Sequence, residues 1–326
     1  MYPTPEDPAY GIFVASQMES VAQAGASVDV VFVNGRRGEG QYVRAVSEVR
    51  RRARSSAYDV VHAHYGLTGF VAAFHRVPLV VSFCGDDLLG TPDGHGGITL
   101  KSRLGIGLSR FAARRSDAII CKSEQLRQAL PVSVRARAQV IGNGVDTARF
   151  HPGDRDSARR RLGLDPGERL VLFPHSRRQA AVKRFDLAQA AAEQLPNCGI
   201  RARLWVVNDV APEAMPDYYR AADCMLVTSD HEGSPNTVKE ALCCDLPVVS
   251  VDVGDIRRWL ALAPGCRVVE REPATIARGL AEVLRGPGRV VGARVRDEIG
   301  LGSVAVRVLA VYRDAMERRP QHRLTR

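Results

Sequence analysis

Short apolar runs rich in valine and isoleucine alternate along the whole chain with longer segments of helical spacing. In the first half these runs cover residues 27–33, 59–64, 78–83, 118–122 and 138–144. In the second half they cover residues 169–174, 202–207, 224–229, 247–251 and 266–270. Strands that are apolar throughout and separated by helices are typical of parallel sheets covered on both faces. The pattern therefore predicts an α/β protein whose strands form two successive sheets.

The joint between the two sheets is predicted where proline, glycine and charge replace apolar residues, in HPGDRDSARRRLGLDPGER. A chain of 326 residues with 45% hydrophobic content is long enough for two cores. We expect an N-terminal α/β domain over residues 1–151 and a C-terminal one over residues 152–303. A final helix over residues 304–320 has an apolar side that suits either domain.

The first sheet lacks a feature that such sheets ordinarily have. A doubly wound sheet begins with a buried strand that leads into the first ligand-binding turn. Here only Met1 precedes YPTPEDPAYG, a segment with the composition of a loop. We expect either a natural start further upstream or an N-terminal sheet without its first strand, and of the two we favour the truncated start.

Cysteine usage favours a cytoplasmic protein. The seven cysteines show no C-x-x-C spacing, and most lie inside apolar runs, as reduced and buried thiols do. No stretch approaches the roughly 18 apolar residues of a membrane span, and the N-terminus is neither basic nor apolar enough for a signal peptide.

The formal charge of +10 raises the question of anionic partners. The arginines are spread over many segments, without aromatic interleaving or a binding motif, so we expect no nucleic-acid partner. A narrower cluster on a predicted amphipathic helix comprises Arg44, Arg50, Arg51, Arg52 and Arg54. Its simplest interpretation is a solvated helix face. The alternative is a docking patch for anionic lipid, which would place the protein peripherally at the inner membrane face.

The strongest local signal is SDHEGSPNTVKEALCCDLPVVS, where a buried strand ends in a polar loop and a helix begins. Ser234 is predicted as the N-cap, and Pro235 suits the first helical position. The amides of Asn236, Thr237 and Val238 would then lack intrahelical acceptors. Free amides at a helix N-terminus bind phosphate. The alternative interpretation is an ordinary capped helix of an α/β unit, which would have the same start signals.

Two carboxylates flank this helix start. Glu232 lies in the loop before it, and Glu240 lies about one and a half turns into the helix beside Ala241 and Leu242. A carboxylate next to an apolar face needs a partner, and the paired hydroxyls of a ribose would satisfy both of its oxygens. Glu232 is placed to accept hydrogen bonds from the hydroxyls of a sugar.

Glu232 and Glu240, separated by seven residues that include GSPN, resemble the E-x7-E motif of retaining glycosyltransferases of family 4. The segments DVVHAH, NGVDTARF, VLFP with KRFDLA, and DYYRAADCMLVTSDHEGSPNTVKEAL occur in the order that this family shows. The resemblance covers nearly the whole chain and implies the GT-B fold, in which two Rossmann-like domains face each other across a cleft.

The resemblance also implies residue roles. A basic pair, Lys183 with Arg177 or Arg178, would neutralise the donor diphosphate. The catalytic residues that the resemblance implies are Arg177, Lys183 and Glu232. The predicted substrate contacts in the second half are Arg178, Gly233, Ser234, Pro235, Asn236, Thr237 and Glu240. Because negative charge grows on the diphosphate as the sugar leaves, preformed cations stabilise the transition state more than the ground state.

Signals in the first half are weaker. Gly11 resembles the family's glycine whose backbone approaches the donor phosphates from the opposite domain, and His64 is predicted either to line the cleft or to be a satisfied core residue. The family often has a histidine near the transferred sugar where this chain has Cys84, which is therefore a substrate-contact prediction with weaker hydrogen bonding. Asp86 and Asp87 are adjacent, but we expect no metal because the basic pair and helix amides already neutralise the diphosphate.

The sequence thus predicts a retaining glycosyltransferase that uses no cofactor and takes a nucleotide diphosphate sugar as donor. The acceptor hydroxyl of a polysaccharide, a lipid or a small metabolite is left open. One alternative is a degenerate, non-catalytic GT-B protein that binds a nucleotide sugar or a partner, and another is nucleotide-sugar epimerisation.

Overall fold

The chain packs as two compact units. In a computed structural model, the structure describes residues 2–4, 7, 10–38, 40–55, 57–91, 97–175, 180–208 and 210–318. The first unit contains the described residues up to Gly144 together with those from Gly302 onward, and the second contains Val145–Leu301. The predicted domain boundaries were 151/152 and 303/304, so the chain enters the second unit a few residues earlier than expected.

The described part of the first unit contains a parallel sheet in the order β1-β2-β3-β4. Its strands are β1 (Val61–His64), β2 (Leu79–Phe83), β3 (Ala118–Cys121) and β4 (Ala138–Val140). Every residue of β2 and β3 is buried. Apart from Ser82, the two central strands consist of apolar residues, as is typical of parallel strands that are buried on both faces.

Two described helices of the first unit precede β1, and five lie in the connections between its strands. They are α1 (Ile12–Gln23), α2 (Gly40–Ala53), α3 (Gly66–Ala72), α4 (Asp86–Leu89), α5 (Leu100–Arg115), α6 (Glu124–Ala129) and α7 (Val132–Arg135). A short 3-10 helix covers Gly35–Arg37. The long helix α5 begins at an N-cap, because the Thr99 hydroxyl accepts from the Ser102 amide.

The strand predicted over residues 27–33 is wrong, since the structure has no strand there. Val30 and Phe32 are exposed to solvent. A cavity of about 190 Å³ is lined both by residues 29–33 and by β1 residues such as Val61 and Ala63. Apolar alternation alone does not make a strand, because the backbone needs a hydrogen-bonded neighbour. Here a cavity occupies the space beside β1, the end strand of the described sheet.

The second unit contains a larger parallel sheet whose described strands have the order β6-β5-β7-β8-β9. They are β5 (Leu170–His175), β6 (Arg203–Asn208), β7 (Cys224–Val227), β8 (Val248–Val251) and β9 (Arg267–Val269). All five coincide with apolar runs named from the sequence. The central strands β7 and β8 are fully buried.

The second unit's helices surround this sheet. They are α8 (Arg155–Arg161), α9 (Ala180–Lys183), α10 (Phe185–Glu193), α11 (Met215–Ala221), α12 (Asn236–Cys243), α13 (Ile256–Ala261), α14 (Pro273–Arg285) and α15 (Ala293–Ile299). A 3-10 helix covers Leu195–Cys198.

Arg159 of α8 is a buried structural cation. Its side chain is fully buried, and its Nη2 lies 2.8 Å from Asp223 Oδ2. The same guanidinium donates to the backbone carbonyls of Ala221, Asp165, Pro166 and Glu168. The start of the second unit is therefore tied to the segment between α11 and β7.

The last described helix, α16 (Leu301–Arg318), packs in the first unit. Val304, Val308 and Val311 are fully buried. The Tyr312 hydroxyl lies 2.7 Å from His62 Nδ1 on β1. No helix among the described residues combines the length and apolarity needed to span a bilayer.

Candidate active site

The loop that follows β7 leads into α12 at one edge of the second sheet. The predicted cap is wrong, because α12 begins at Asn236 and its N-cap is Pro235, in an extended conformation. The Ser234 hydroxyl instead donates to Asp255 Oδ2 at 2.7 Å and accepts from Lys239 Nζ at 3.1 Å. Because Ser234 is used in these contacts, its side chain does not cap the helix, and the first turn of α12 remains adjacent to the loop that carries Glu232.

Lys183 and Glu232 are brought together by neighbouring strands. Lys183 follows β5 and Glu232 follows β7, and these strands pair in parallel. Lys183 Nζ lies 2.5 Å from Glu232 Oε1, with 15% and 16% of the two side chains exposed. The Ser229 hydroxyl donates to the same carboxylate oxygen at 2.8 Å. Two of the predicted catalytic residues thus form one half-buried ion pair at the carboxyl edge of the sheet.

The backbone around Lys183 is fixed by contacts with the end of β7. The Thr228 hydroxyl donates to the carbonyls of Lys183 and Arg184, at 2.8 and 3.0 Å. The Asp230 amide donates to the Val182 carbonyl at 2.9 Å. Arg184 has a φ of 52°, a left-handed conformation that costs a non-glycine residue about 1 kcal/mol. The predicted partners of Lys183, Arg177 and Arg178, lie outside the described residues.

Glu240 is half-buried, and the structure shows a partner that the sequence analysis did not predict. The Tyr219 hydroxyl of α11 donates to Glu240 Oε2 at 2.9 Å. Burial raises the pKa of Glu240, while the hydrogen bond from Tyr219 opposes that rise. Burial and the neighbouring Glu240 also raise the pKa of Tyr219. The Tyr219 hydroxyl therefore hydrogen-bonds to one of the two carboxylate oxygens that the sequence analysis had assigned to ribose hydroxyls.

A second loop, between β8 and α13, packs closely against the loop that carries Glu232. Gly254 has a φ of 60°, and a Cβ at this position would lie 2.8 Å from the carbonyl oxygens of both Glu232 and Gly233. Only glycine allows this approach. Asp255 Oδ2 accepts from Ser234 and also from the Trp259 indole at 2.8 Å.

The contacts that Asp255 and Lys239 make around Ser234 were not predicted from the sequence. Lys239 is fully buried, with its ammonium 5.9 Å from the centre of the Trp259 ring. Asp255 Oδ1 is buried and has no hydrogen-bond partner within the described part of the chain. Asp255 and Lys239 are visible in the sequence, but nothing in their spacing showed that both contact the Ser234 hydroxyl.

The first unit gathers another polar group of side chains at the carboxyl ends of its strands. His64 ends β1, Cys84 follows β2 and Lys122 follows β3, and these strands are parallel neighbours. Lys122 is buried and donates to Gln17 Oε1 of α1 at 3.2 Å. The sequence predicted His64 and Cys84 here but missed Lys122 and Gln17.

Burial dominates the electrostatics of this group. Desolvation, helped by His62 and Lys122, holds the pKa of His64 well below its usual value. Both ring nitrogens of His64 are buried without a partner among the described residues. Burial also raises the pKa of Cys84 to about 12. His64 is therefore neutral at physiological pH, and Cys84 is a thiol.

Asp87 has a structural place in this unit. Its carboxylate accepts from the amides of Gly66, Cys84 and Gly85 at 2.8 to 3.2 Å. Burial raises its pKa to about 6 despite these hydrogen bonds. Within the described ranges, no group of three or more His, Cys, Asp or Glu side chains is arranged to hold a metal ion. Gly11, the remaining predicted residue, is the N-cap of α1 with a φ of 71°.

Relatives of the chain are found among glycosyltransferases. A sequence profile of Glycosyltransferase Family 4 matches residues 6–149, and one of Glycosyl transferases group 1 matches residues 177–286. The D-inositol 3-phosphate glycosyltransferase 1 of Catenulispora acidiphila is 31% identical over an alignment of 305 positions, and the match covers 80% of this chain and 73% of that protein. The chain belongs to glycosyltransferase family 4. The resemblance seen in the E-x7-E segment is thereby confirmed.

Another family 4 relative is longer than this chain. The D-inositol 3-phosphate glycosyltransferase of Rhodococcus erythropolis is 29% identical over an alignment of 263 positions, and the match covers 66% of this chain. The match spans 57% of the length of that protein.

Solved structures share the fold of this family 4 chain at low sequence identity. A sucrose-phosphate synthase from Thermosynechococcus elongatus superposes with a TM-score of 0.76 at 16% identity, covering 97% of this chain and 96% of that one. The Anabaena protein HepE, in complex with UDP, superposes with a TM-score of 0.63 at 17% identity, covering 92% and 95%. The predicted α/β fold of GT-B type is confirmed.

Proposed function

We propose that this family 4 chain transfers a sugar from a nucleotide diphosphate sugar to an acceptor hydroxyl, with retention at the anomeric carbon. The observation that carries the proposal is the contact between Lys183 and Glu232 beside the first turn of α12. Parallel sheets bind ligands outside the carboxyl ends of their strands, and both residues follow adjacent strands there.

Lys183 supplies positive charge where the leaving diphosphate needs it. The first amides of α12 add roughly 0.3 to 2 kcal/mol through the helix dipole. A preorganised donor aimed at developing charge contributes about 3 to 4 kcal/mol, so the lysine dominates. An ammonium has three donors, and Lys183 can hold Glu232 and a phosphate oxygen together. Arg177 or Arg178 retains its proposed place as the second cation.

The two glutamates recognise hydroxyls of the donor. Glu232, held by Lys183 and Ser229, accepts from hydroxyls of the transferred sugar. Glu240 is already oriented by Tyr219 through Oε2, and its other oxygen accepts from a ribose hydroxyl. Gly233, Ser234, Pro235, Asn236 and Thr237 line the approach to the diphosphate, with Ser234 acting through the position of its loop.

The proposed step exchanges one bond for another on the same face of the sugar. The bond between the anomeric carbon and the diphosphate oxygen breaks, and the acceptor oxygen bonds to that carbon. The acceptor proton passes to the departing phosphate oxygen. The proposal assigns no metal and no cofactor, because Lys183, the arginine and the helix amides are given the neutralising role.

Relatives suggest which compounds to test first. The two inositol relatives are named for D-inositol 3-phosphate. HepE was solved with UDP-glucose, and an Arabidopsis starch synthase with ADP. We therefore propose a UDP or ADP sugar as donor and a polyol or its phosphate as the first acceptor class. The free cysteines of the described residues suit the reducing cytoplasm, which is the compartment we propose.

The test begins with a thermal-shift screen of nucleotide sugars, since a ligand that binds the folded state raises the melting temperature. Transfer and donor hydrolysis are then measured with the donor that binds. Lys183→Ala is expected to lower kcat about a thousandfold with the fold intact. Arg257→Ala is the matched control, because it removes a cation that pairs with Asp252 at an exposed position of the same unit.

Each outcome has a distinct meaning. A Lys183→Ala enzyme that keeps more than about a tenth of wild-type turnover contradicts the assigned role. Tight donor binding without transfer or hydrolysis by the wild type indicates the non-catalytic alternative. Interconversion of two nucleotide sugars without an acceptor indicates epimerisation.

A further inference from the structure

Helix α5 is held against α3 by small residues. Ser109, Ala112 and Ala113 of α5 are buried. The helices approach so closely that a Cβ on Gly66 would lie 1.9 Å from Ser109 Oγ, and one on Gly69 would lie 3.1 Å from Ala112 Cβ. This contact fixes the rotation of α5, so the opposite side of the helix points away from the unit.

That opposite side carries large apolar residues. Leu100 is 83% exposed and Leu104 is 67% exposed, and Phe111 is exposed on the same side. At about 100° per residue, these three positions fall within an arc of about 40° opposite Ser109. Phe74, also exposed, stacks on Phe111 with ring centres 6.1 Å apart and extends the stripe.

Cations border this stripe on both sides. Arg103, Arg110 and Arg114 lie along one border, and Lys101 and Arg115 lie along the other. All five are exposed. The 16 residues of α5 include no acidic side chain. The helix therefore presents an apolar centre between two rows of positive charge.

We propose that this α5 face, defined by Leu100, Leu104, Phe111, Phe74 and the five cations, binds the surface of an anionic lipid bilayer. Apolar side chains of such a helix enter the boundary between headgroups and acyl chains, and the bordering cations contact lipid phosphates. An acidic protein surface would also match the positive charge of this face. It would not require the long apolar stripe, free of acidic residues, that separates the two rows of cations. The proposal is independent of the transfer reaction.

The basic cluster of α2 that the sequence singled out lacks these properties. Glu48 binds Arg51 and Arg52, each at 2.6 Å, and so neutralises part of the cluster. Val43 is the large apolar residue that α2 exposes, at 74%, among the residues described there. Charge alone gives weak and salt-sensitive attraction to a bilayer. The structure therefore favours α5 as the docking face and makes α2 a natural control.

The test measures partition of the full chain onto vesicles by flotation. The wild type is expected to float with vesicles that contain phosphatidylglycerol and not with phosphatidylcholine vesicles. Replacing Arg103, Arg110 and Arg114 together by Gln is expected to lower the partition coefficient on the order of a hundredfold, at about fivefold per cation. Leu100→Ser with Leu104→Ser is expected to lower it on the order of a hundredfold, because two leucine side chains no longer enter the bilayer.

The control variant replaces Arg44 and Arg50 of α2, and Arg54 directly after it, by Gln. It removes the same charge and is expected to change partition by about fivefold or less. Circular dichroism verifies that each variant is folded, as expected for exposed positions. The proposal is overturned if the α2 and α5 variants lose binding equally or if the wild type does not float. It is also overturned if the leucine variant instead abolishes self-association in sedimentation equilibrium, which would make a second copy the occupant.

Discussion

Replacing Tyr219 by Phe removes the hydroxyl that contacts Glu240 and leaves the aromatic ring in place. That hydroxyl donates to Glu240 Oε2 at 2.9 Å, and the tyrosine is fully buried. The ring also lies 6.0 Å from that of Phe150, so its packing is expected to survive the change. The variant thus isolates the hydrogen bond to the carboxylate.

The magnitude depends on the charge of Glu240. A hydrogen bond to a charged group contributes about 1.5 to 3 kcal/mol, and one between neutral groups about 0.5 to 1.5 kcal/mol. Burial raises the folded-state pKa of Glu240 above 4.5, so its contribution to stability is fully present below that pH and falls as pH rises through the folded-state pKa. Loss of the tyrosine hydroxyl raises this pKa further. The variant is therefore expected to be destabilised by up to about 3 kcal/mol near pH 7.5 and by clearly less near pH 4.5.

Urea unfolding of the wild type and the variant across this pH range measures the difference directly. Tyr218→Phe is the matched control, because Tyr218 neighbours Tyr219 in the chain and stacks on Trp205 with ring centres 5.0 Å apart. It is expected to show little change at any pH. A destabilisation of Tyr219→Phe that does not vary with pH would refute the reasoning, because the hydroxyl would then not be stabilising a titrating carboxylate.

Three further predictions concern single contacts. In a double-mutant cycle of Lys183→Met and Glu232→Gln, the changes in unfolding free energy are expected to deviate from additivity by about 1 to 3 kcal/mol, while turnover stays low in the double variant. Additive changes would contradict a direct contact between the two side chains. Gly254→Ala is expected to cost about 1 to 2 kcal/mol in strain and to raise the KM for the donor; an unchanged KM would show that the Glu232 loop tolerates displacement. Arg159→Met is expected to destabilise by about 3 to 5 kcal/mol in thermal or urea unfolding, because Asp223 and several carbonyls lose their donor; a loss below about 1 kcal/mol would mean that water replaces it.

The sequence predicted those parts of the fold that depend on local pattern and burial. The apolar runs at 78–83 and 224–229 became buried central strands, because a parallel sheet covered on both faces admits little else. Residues 27–33 have a similar pattern but form no strand. A strand also needs a hydrogen-bonded neighbour, and the sequence of the segment alone does not show whether it has one.

The site shows the same division between local and distant causes. The E-x7-E spacing indicated that Glu232 and Glu240 belong to one site, and the order of strands brought Lys183 to Glu232. Ser234 was misassigned because Asp255, 21 residues later, takes its hydroxyl in preference to the helix amides. The Tyr219 partner of Glu240 likewise comes from another helix. Contacts between side chains on separate elements are set by packing, which periodicity does not report.

The second unit is inserted into the first. The chain enters it at Val145 and leaves it at Leu301, and these points adjoin, because the Val145 amide donates to the Ile299 carbonyl and the Leu301 amide donates to the Val145 carbonyl. Residues 145–301 can therefore be excised as one continuous gene fragment whose ends meet. Joining Gly144 to Gly302 by a linker of about three residues would keep α16 in the first unit. Truncation after Gly144 would instead remove α16 from the core of that unit. Separate expression of the two fragments would let the proposed donor binding be measured apart from the proposed lipid docking.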